Sequence, residues 1–194
     1  MNEVRIRGAI PADAPAIARV HVEAWRESYR ALVPKHVIEA LSVDRNAGMW
    51  TAVLAGGASS IVHVVERLGI AADGAELVGF GSARDARSPA LGASGEITAI
   101  YLLESFKRRG IGRMLLRGLL GALAERGHRS AGLWVLADNH GTRRFYEALG
   151  GRPGAPRLVT DGPTDMHEIA YIWDDLSTFG LPQGKNARSR CRTS

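Results

Sequence analysis

Cysteine is nearly absent from this chain of 194 residues, which has one, Cys191. A single cysteine excludes a disulfide framework and a zinc site built on cysteines, and it favours a cytoplasmic protein. Long apolar runs are missing as well, since none approaches the roughly 18 residues that cross a bilayer. The opening stretch MNEVRIRGAIPADAP carries arginines and prolines where a secretory signal needs an apolar core. We therefore expect neither secretion nor membrane insertion.

Acidic residues are missing from the C-terminal stretch LPQGKNARSRCRTS, whose cations are Lys185, Arg188, Arg190 and Arg192. These four account for most of the net charge of +5, so the rest of the chain is close to neutral. A neutral body argues against nucleic-acid binding, and the alternative is an accessory that binds RNA through the tail alone. We expect one domain over residues 1–178 and a basic, disordered tail over 179–194. The six histidines show no paired spacing, so no metal ion is expected.

Hydrophobic periodicity and turn residues predict the order βαααβββαβαββ. The predicted strands are EVRIRGAI near the start and residues 61–66, 76–84, 95–103, 130–137, 157–160 and 167–173. The predicted helices are 14–32, 34–41, 43–55, 111–126 and a short one from Thr142 that closes at Gly150 and Gly151. This order describes a mixed α/β (α+β) sheet with a strand-helix-strand unit at its centre.

A glycine-containing turn between a predicted strand and helix carries the clearest chemical signal, in GEITAIYLLESFKRRGIGRMLL (95–116). Gly110 and Gly112 let backbone N–H groups approach an anion, and the following helix adds the positive end of its dipole. Positive side chains surround this point, namely Lys107, Arg108, Arg109 and Arg113. The dinucleotide fingerprint and the nucleoside triphosphate loop both need residues that are absent here. The turn predicts a phosphate site, and the alternative is a glycine-relieved helix entry with solvated arginines.

The stretch KRRGIG (107–112) resembles the acyl-CoA motif Arg/Gln-x-x-Gly-x-Gly/Ala of the GCN5-related N-acetyltransferase (GNAT) superfamily. A second block, ADNHGTRRFYEALGGRP, is similar to that family's signature Asn-x-x-Ala-x-x-Phe-Tyr-Glu-Lys-x-Gly-Phe. The matching residues are Asn139, Phe145, Tyr146, Glu147 and Gly150, while Lys107 and Thr142 depart from the pattern. The likeness extends more loosely from residue 3 to about residue 174.

The resemblance implies a mixed, mostly antiparallel sheet that is flanked by helices and splayed between strands 4 and 5. It implies acetyl-CoA as co-substrate, with the pantetheine arm paired against strand 4 and the pyrophosphate on the amides of the turn. The residues that it assigns to acetyl-CoA are Ile100, Tyr101, Leu102, Lys107, Arg108, Arg109, Gly110, Ile111, Gly112, Arg113, Asn139, Thr142 and Tyr146.

The resemblance also suggests how protons move during acyl transfer. Glu96 is the expected general base, directly or through water, because burial could raise the pKa of its carboxyl. The alternative for Glu96 is an exposed strand residue or an ion pair. Tyr146 matches the tyrosine that protonates the departing thiolate, and its alternative is an aromatic that packs beside Phe145. Trp25 and Tyr29, one turn apart on the first helix, are expected to wall the acceptor pocket or else to lie in the core.

The predicted function is transfer of an acetyl group from acetyl-CoA to a primary amine of a small molecule or an amino-acid-like acceptor. Direct attack in a ternary complex is the expected mechanism. The alternatives are acetylation of a protein N-terminus or lysine, and a non-catalytic acyl-CoA sensor. Family relatives are often dimers, so a homodimer stays open, and no fixed motif names the acceptor.

Overall fold

One sheet organises the residues that this computed structural model describes, which are 4–69, 76–161 and 164–179. Its strands are β1 (Val4–Gly8), β2 (Ser60–Arg67), β3 (Glu76–Asp85), β4 (Gly95–Leu102), β5 (Ala131–Leu136), β6 (Arg152–Asp161) and β7 (Thr164–Trp173). The flanking helices are α1 (Ala14–Tyr29), α2 (Lys35–Glu39), α3 (Val43–Ala55), α4 (Ile111–Glu125) and α5 (His140–Glu147). The predicted order of strands and helices is confirmed. Of the helices in these ranges, none is both long and apolar enough to cross a membrane.

The strands lie side by side in the order β1-β2-β3-β4-β5-β7-β6. Neighbours are antiparallel except β4 and β5, which are parallel and pair only at Gly95 with Ala131 and at Glu96 with Gly132. On its other side, β4 stays paired with β3 as far as Leu102. The strands β4 and β5 therefore separate from Ile97 onward, which confirms the mixed, splayed sheet that the resemblance implied.

A β-bulge lies where β4 leaves β5. The pairing of β3 with β4 shifts between Ser82 and Ala83, and Thr98 of β4 has no Cα partner across the strands. Its hydroxyl instead hydrogen-bonds the hydroxyl of Ser82. Because a bulge bends a strand and increases its twist, this irregularity helps to turn β4 away from β5.

Helices cover both faces of the sheet. On one face α1 and α3 pack Ile17, Val20 and Trp50 against the buried strand residues Val64 and Phe80. On the other face α4 buries leucines that recur at helical spacing, which are Leu115, Leu116, Leu119, Leu120 and Leu123. Each buried leucine contributes roughly 1.5–3 kcal/mol, so this helix and its first turn are held firmly against the sheet.

The largest difference from the sequence prediction is in β6, which begins at Arg152 rather than at residue 157. Pro153 and Pro156 argued against a strand there, because proline cannot donate a ladder hydrogen bond. The strand β6 lies at the edge of the sheet, where that donor is not required. At the other end of the chain, α1 stops at Tyr29 instead of residue 32.

The predicted division into a domain over 1–178 and a tail over 179–194 stays a prediction. Residues 180–194, which include Cys191, lie outside the described residues, as do 1–3, 70–75 and 162–163. Leu176, just before that boundary, is fully buried, and its backbone N–H donates to the carbonyl of Arg129. The chain is thus still packed on the body three residues before the predicted tail.

Candidate active site

A cleft of about 600 Å³ lies where β4 and β5 separate. Its walls come from the end of α1, from Ile97 to Leu102 of β4, from the turn before α4, from β5 and from α5. The volume is that of a typical site for a small molecule or cofactor. Because β4 has no strand partner on this side after Glu96, its N–H and C=O groups there can pair with an extended ligand.

The turn at one end of the cleft presents backbone donors. Arg108 (φ +59°) and Gly110 (φ +80°) both adopt left-handed backbone, and no side chain caps α4. Such a turn, opening on the unpaired N–H groups of a helix N-terminus, forms a concavity that binds anions. Gly112 also lines the cleft, and a Cβ atom there would stand 3.3 Å from Cζ of Phe145. These features fit a pyrophosphate group.

Most of the residues assigned to acetyl-CoA from the sequence lie together in this cleft. The lining includes Ile100, Tyr101, Leu102, Lys107, Arg108, Gly110, Gly112, Arg113, Asn139, Thr142 and Tyr146. Two others do not line it. Ile111 is buried in the core, and the guanidinium of Arg109 lies over the ring of Phe106 at 5.3 Å. In this arrangement the side chains of Arg109 and Ile111 do not face the cleft.

Two polar residues of the cleft already have partners within the protein. The ammonium of Lys107 lies 2.7 Å from Glu104 Oε2 and donates to Ser28 Oγ at 3.2 Å, which ties the turn to the end of α1. Asn139 Oδ1 accepts the backbone N–H of Thr142 at 3.2 Å and so caps α5. The Asn139 carbonyl thus fixes the helix start that carries Thr142 into the cleft.

Tyr146 lines the cleft and is 6% exposed. The rings of Phe145, Tyr171 and Trp173 surround it at centroid distances of 5.2–6.0 Å. Within the part of the chain that the structure describes, its hydroxyl makes no hydrogen bond. Burial raises the pKa of Tyr146 well above the usual value for tyrosine, so the phenol stays protonated at neutral pH. The sequence therefore located a fixed phenol that is available as a proton donor.

Glu96 is 4% exposed and is held by Arg87 through three hydrogen bonds. The Nε and Nη2 atoms of Arg87 donate at 3.0 and 2.6 Å, and its backbone N–H donates at 3.1 Å. Burial favours a raised pKa, but the hydrogen bonds and charge of Arg87 outweigh it, so the pKa of Glu96 is lowered. The expected rise in this pKa is wrong. The cleft is lined by Ile97 and Thr98 rather than by Glu96, and its role as a base stays a prediction.

Trp25 and Tyr29 meet Tyr101 at the α1 side of the cleft. The rings of Trp25 and Tyr29 are 4.5 Å apart, and Trp25 Nε1 donates to the Tyr101 hydroxyl at 2.9 Å. Tyr29 and Tyr101 line the cleft, whereas Trp25 stands behind them. Burial raises the pKa of both tyrosines, so these phenols are neutral. Tyr29 and Tyr101 thus form a neutral aromatic wall on this side of the cleft, next to the charged lining residue Glu27.

His21 supports that wall from behind. Its ring stacks on Tyr101 at 5.1 Å, and Trp50 Nε1 donates to its Nδ1 at 3.2 Å. Burial lowers the pKa of His21 to about 4, so the imidazole is neutral at physiological pH. Tyr101 therefore keeps the same stacking and hydrogen-bonded neighbours over the neutral pH range.

Sequence reasoning missed a group of residues around Trp134 of β5. Trp134 lines the cleft, and the guanidinium of Arg157 lies 3.9 Å above its ring. Arg157 pairs in turn with Glu168, with an N–O distance of 2.6 Å. Arg157 and Glu168 are cross-strand partners on β6 and β7, so only the register of that hairpin reveals the pair. The sequence carries no local signal for it, nor for the pairing of Arg87 with Glu96.

Comparison with known proteins agrees with this architecture. The model of the acetyltransferase (GNAT) family matches residues 22–151. The N-acetyltransferase YuaI of Bacillus subtilis is 30% identical over 176 residues, which are 91% of this chain and 96% of YuaI. The chain therefore belongs to the GNAT family and is an N-acetyltransferase.

Two solved structures share the fold. The PaiA N-acetyltransferase of Thermoplasma acidophilum, solved in complex with coenzyme A, superposes with a TM-score of 0.63 at 19% identity over 86% of this chain and 98% of its own. The acetyltransferase YncA of Salmonella typhimurium, solved with its cofactor acetyl-CoA, gives 0.65 at 19% identity over 95% and 99%. At such identity the likeness shows the fold alone.

Proposed function

We propose that the protein transfers the acetyl group of acetyl-CoA to the primary amine of a small molecule or amino-acid-like acceptor, in a ternary complex. The observation that carries the proposal is the cleft between β4 and β5, which ends at the uncapped N-terminus of α4. The structures of PaiA with coenzyme A and of YncA with acetyl-CoA support the choice of co-substrate. When bound, acetyl-CoA supplies an activated acetyl group as a thioester. The low cysteine content supports a cytoplasmic location.

The proposed cofactor site uses backbone more than side chains. The free edge of β4 at Ile100 and Leu102 would pair with the pantetheine arm, and the amides from Arg108 to Arg113 would hold the pyrophosphate. Arg108 and Arg113 would add positive charge, since both line this end of the cleft. Asn139 and Thr142 would contact the arm from the start of α5.

Tyr146 is the proposed proton donor to the departing sulfur. Its hydroxyl is protonated at neutral pH, lies in the cleft and is held in place by packed rings. Glu96 is the proposed proton acceptor for the acceptor ammonium, and a water would connect the two because Glu96 does not line the cleft. Its lowered pKa keeps the carboxylate ionised at neutral pH, so it can accept a hydrogen bond from that water, but the same shift makes it a weaker base.

The aromatic wall favours a small acceptor. Tyr29 and Tyr101 close the α1 side of the cleft, and Trp25 locks Tyr101 from behind with a hydrogen bond. An extended peptide needs free backbone groups and an open groove, whereas a wall of neutral rings fits a compact amine. Trp25 and Tyr29 are therefore proposed to shape the acceptor site.

Titration with acetyl-CoA and with CoA, combined with a free-thiol assay, tests the function. The acceptor panel contains amines, amino acids and short peptides, and each is assayed against a blank without protein. We expect binding of both CoA species, and thiol release that depends on a compact amine. Binding without release from any acceptor would favour an acyl-CoA sensor, and absence of binding would contradict the proposed cofactor site.

A further inference from the structure

Two arginine–glutamate pairs of the same geometry lie beside Trp134. Arg87 contacts Glu96 through Nε and Nη2, and Arg157 contacts Glu168 through the same two atoms. Each guanidinium thus uses one edge for its glutamate. In the described ranges neither Nη1 atom has a hydrogen-bond partner, so each pair leaves one set of directed N–H donors unused.

The two pairs are close enough to influence each other. Burial raises the pKa of Glu96 and Arg87 lowers it, as described above, and the positive charge of Arg157 lowers it further. Arg87 has its pKa raised by Glu96 and, in addition, by the negative charge of Glu168. Arg157 stands on β6 and Arg87 on the loop after β3, so the sheet brings together two cations that lie far apart in sequence.

The four charged residues are not among those that line the cleft, but one pair contacts a residue that does. Trp134 lines the cleft from β5 and carries the Arg157 guanidinium 3.9 Å above its ring. Tyr29 lines the cleft from α1, and the pKa of Tyr29, raised mainly by burial, is raised further by the charge of Glu168. An acceptor lodged between Tyr29 and Trp134 would therefore have Arg157 as a neighbour.

Paired and stacked arginines are well prepared to bind a carboxylate. A guanidinium donates charge-assisted hydrogen bonds in a fixed plane, which matches the geometry of a carboxylate. Stacking on Trp134 and pairing with Glu168 hold Arg157 in one orientation, so little side-chain entropy is lost when a ligand binds. Arg87 is 60% exposed at its side chain, so its free edge is accessible.

We propose that Arg157, assisted by Arg87, binds the carboxylate of an amino-acid acceptor and thereby orients its amine toward the acetyl group. This inference rests on the proposed function and narrows the acceptor from amines in general to amines that carry a carboxylate. Arg157 and Arg87 are then specificity-determining residues. The glutamate partners keep this region close to neutral, so an acceptor with both charges suits it better than a plain cation.

Matched acceptors test the proposal on the unmodified protein. Amino acids, their carboxamides and the corresponding decarboxylated amines are compared by thiol release, and kcat/KM is determined for each. We expect the amino acids to exceed their carboxamides by about tenfold to a hundredfold, which is the range for a charge-assisted hydrogen bond. Equal or better turnover of the carboxamides would overturn the proposal.

The variant Arg157→Gln provides a second test of the proposal. We expect its kcat/KM to fall by at least about tenfold more for amino acids than for carboxamides, so that the preference disappears. The control is Arg152→Gln, because Arg152 lies on the same strand and makes the same two-atom contact with Asp174, whereas the stacking on the cleft residue Trp134 belongs to Arg157. A preference that survives in Arg157→Gln would contradict the role of Arg157.

The design separates failure of the inference from failure of the proposed function. Thiol release from decarboxylated amines with no carboxylate preference would refute only the carboxylate site. No release from any acceptor, despite acetyl-CoA binding in the titration, would refute the acetyltransfer activity and this inference together. Thermal unfolding of Arg157→Gln and Arg152→Gln verifies that both variants are folded before their rates are compared.

Discussion

The two ends of the cleft are built in opposite ways. The end proposed for the cofactor comes from one continuous segment, Lys107 to Arg113, whose backbone forms the turn and starts α4. The end proposed for the acceptor combines Tyr29 and Trp134, which line the cleft, with Arg157, which stacks on Trp134. These three residues belong to distant parts of the chain. A site made from a continuous segment leaves a motif in the sequence, whereas one assembled by packing leaves none.

The two ends of the cleft also differ in how their charged residues are paired. In the described part of the chain, Arg108 and Arg113 at the cofactor end make no ion pair, and α4 has no capping side chain. At the acceptor end Arg87 and Arg157 are each paired with a glutamate. Unpaired positive charge and free N–H groups suit the highly charged phosphates of a cofactor. Paired charges beside neutral rings suit discrimination between small acceptors of low net charge.

Removal of the Tyr146 hydroxyl should have the largest effect, because it is the proposed proton donor in the chemical step. We expect Tyr146→Phe to lower kcat by about a hundredfold or more with little change in acetyl-CoA affinity. The matched control is Tyr171→Phe, since Tyr171 is a neighbouring phenol whose hydroxyl bonds Glu147 and Arg143 instead. Steady-state rates and acetyl-CoA titrations of both variants measure the difference. Equal kcat in Tyr146→Phe and the parent would eliminate the proton-donor role.

Glu96→Gln tests whether the carboxylate contributes to catalysis or only holds the loop through Arg87. We expect kcat/KM to fall by about tenfold to a hundredfold after correction for the fraction of the variant that is unfolded. Because the pKa of Glu96 lies below the usual 4.5, its pair with Arg87 stabilises the fold above that pH. This stabilisation is lost as the pH falls through the lowered pKa. The parent and Glu96→Gln should therefore differ in free energy of unfolding at pH 7, and the difference should shrink progressively as the pH falls below the usual 4.5.

Urea unfolding between pH 7 and pH 3 measures that convergence. Arg87→Gln serves as the companion variant, because it removes the same pair but leaves the Glu96 carboxyl in place. If Glu96→Gln were stable at pH 7 and fully active, both the structural and the catalytic assignment would be lost. If it were destabilised but fully active, Glu96 would be a positioning residue alone.

Gly110→Ala tests the cofactor end by itself. An alanine in left-handed backbone costs about 1–2 kcal/mol, and relief of that strain would move the amides before α4. We expect acetyl-CoA binding to weaken by about tenfold. Gly127→Ala is the control, because Gly127 has φ +88° just beyond the other end of α4 and equally open surroundings. It should lose similar stability and keep its acetyl-CoA affinity, and weakening in both variants would point to general destabilisation.

Trp25→Phe tests the acceptor end and should have the smallest effect. It keeps an aromatic ring beside Tyr29 but removes the hydrogen bond from Trp25 Nε1 to the Tyr101 hydroxyl. The loss of one hydrogen bond corresponds to a change of about two- to tenfold in affinity. We therefore expect the KM for the acceptor to rise by that factor. Titration should give an unchanged Kd for acetyl-CoA. A change in acetyl-CoA affinity without a change in acceptor KM would reverse the assignment of the two ends.

The fold was predictable from the sequence to the level of element order. The leucine spacing in α4 and the glycine turn before it are local patterns, and each was found in its predicted place. The start of β6 was missed because Pro153 and Pro156 lower the local strand preference. Only the position of β6 at the sheet edge makes those prolines acceptable, and edge position is a property of the whole sheet.

The candidate site was likewise predictable only in the parts that depend on local sequence. The turn at residues 107–113 was found because its glycines and the following helix are local patterns, and Tyr146 was found through the resemblance of its sequence block to the family signature. The pKa of Glu96 was expected to rise through burial, and the alternative of an ion pair named no partner. Its lowering depends on Arg87, which reaches Glu96 through a loop whose path no local pattern describes.

The sequence by itself determined the order of strands and helices, the helix start that can hold an anion, and the phenol that lines the cleft. These features depend on local backbone preference and on side-chain periodicity. Tertiary structure alone decided where β4 parts from β5, which arginine neutralises Glu96, and that Arg157 lies on Trp134. Those contacts depend on strand register and loop packing across the sheet, where partners far apart in the chain meet because the whole core is buried at once.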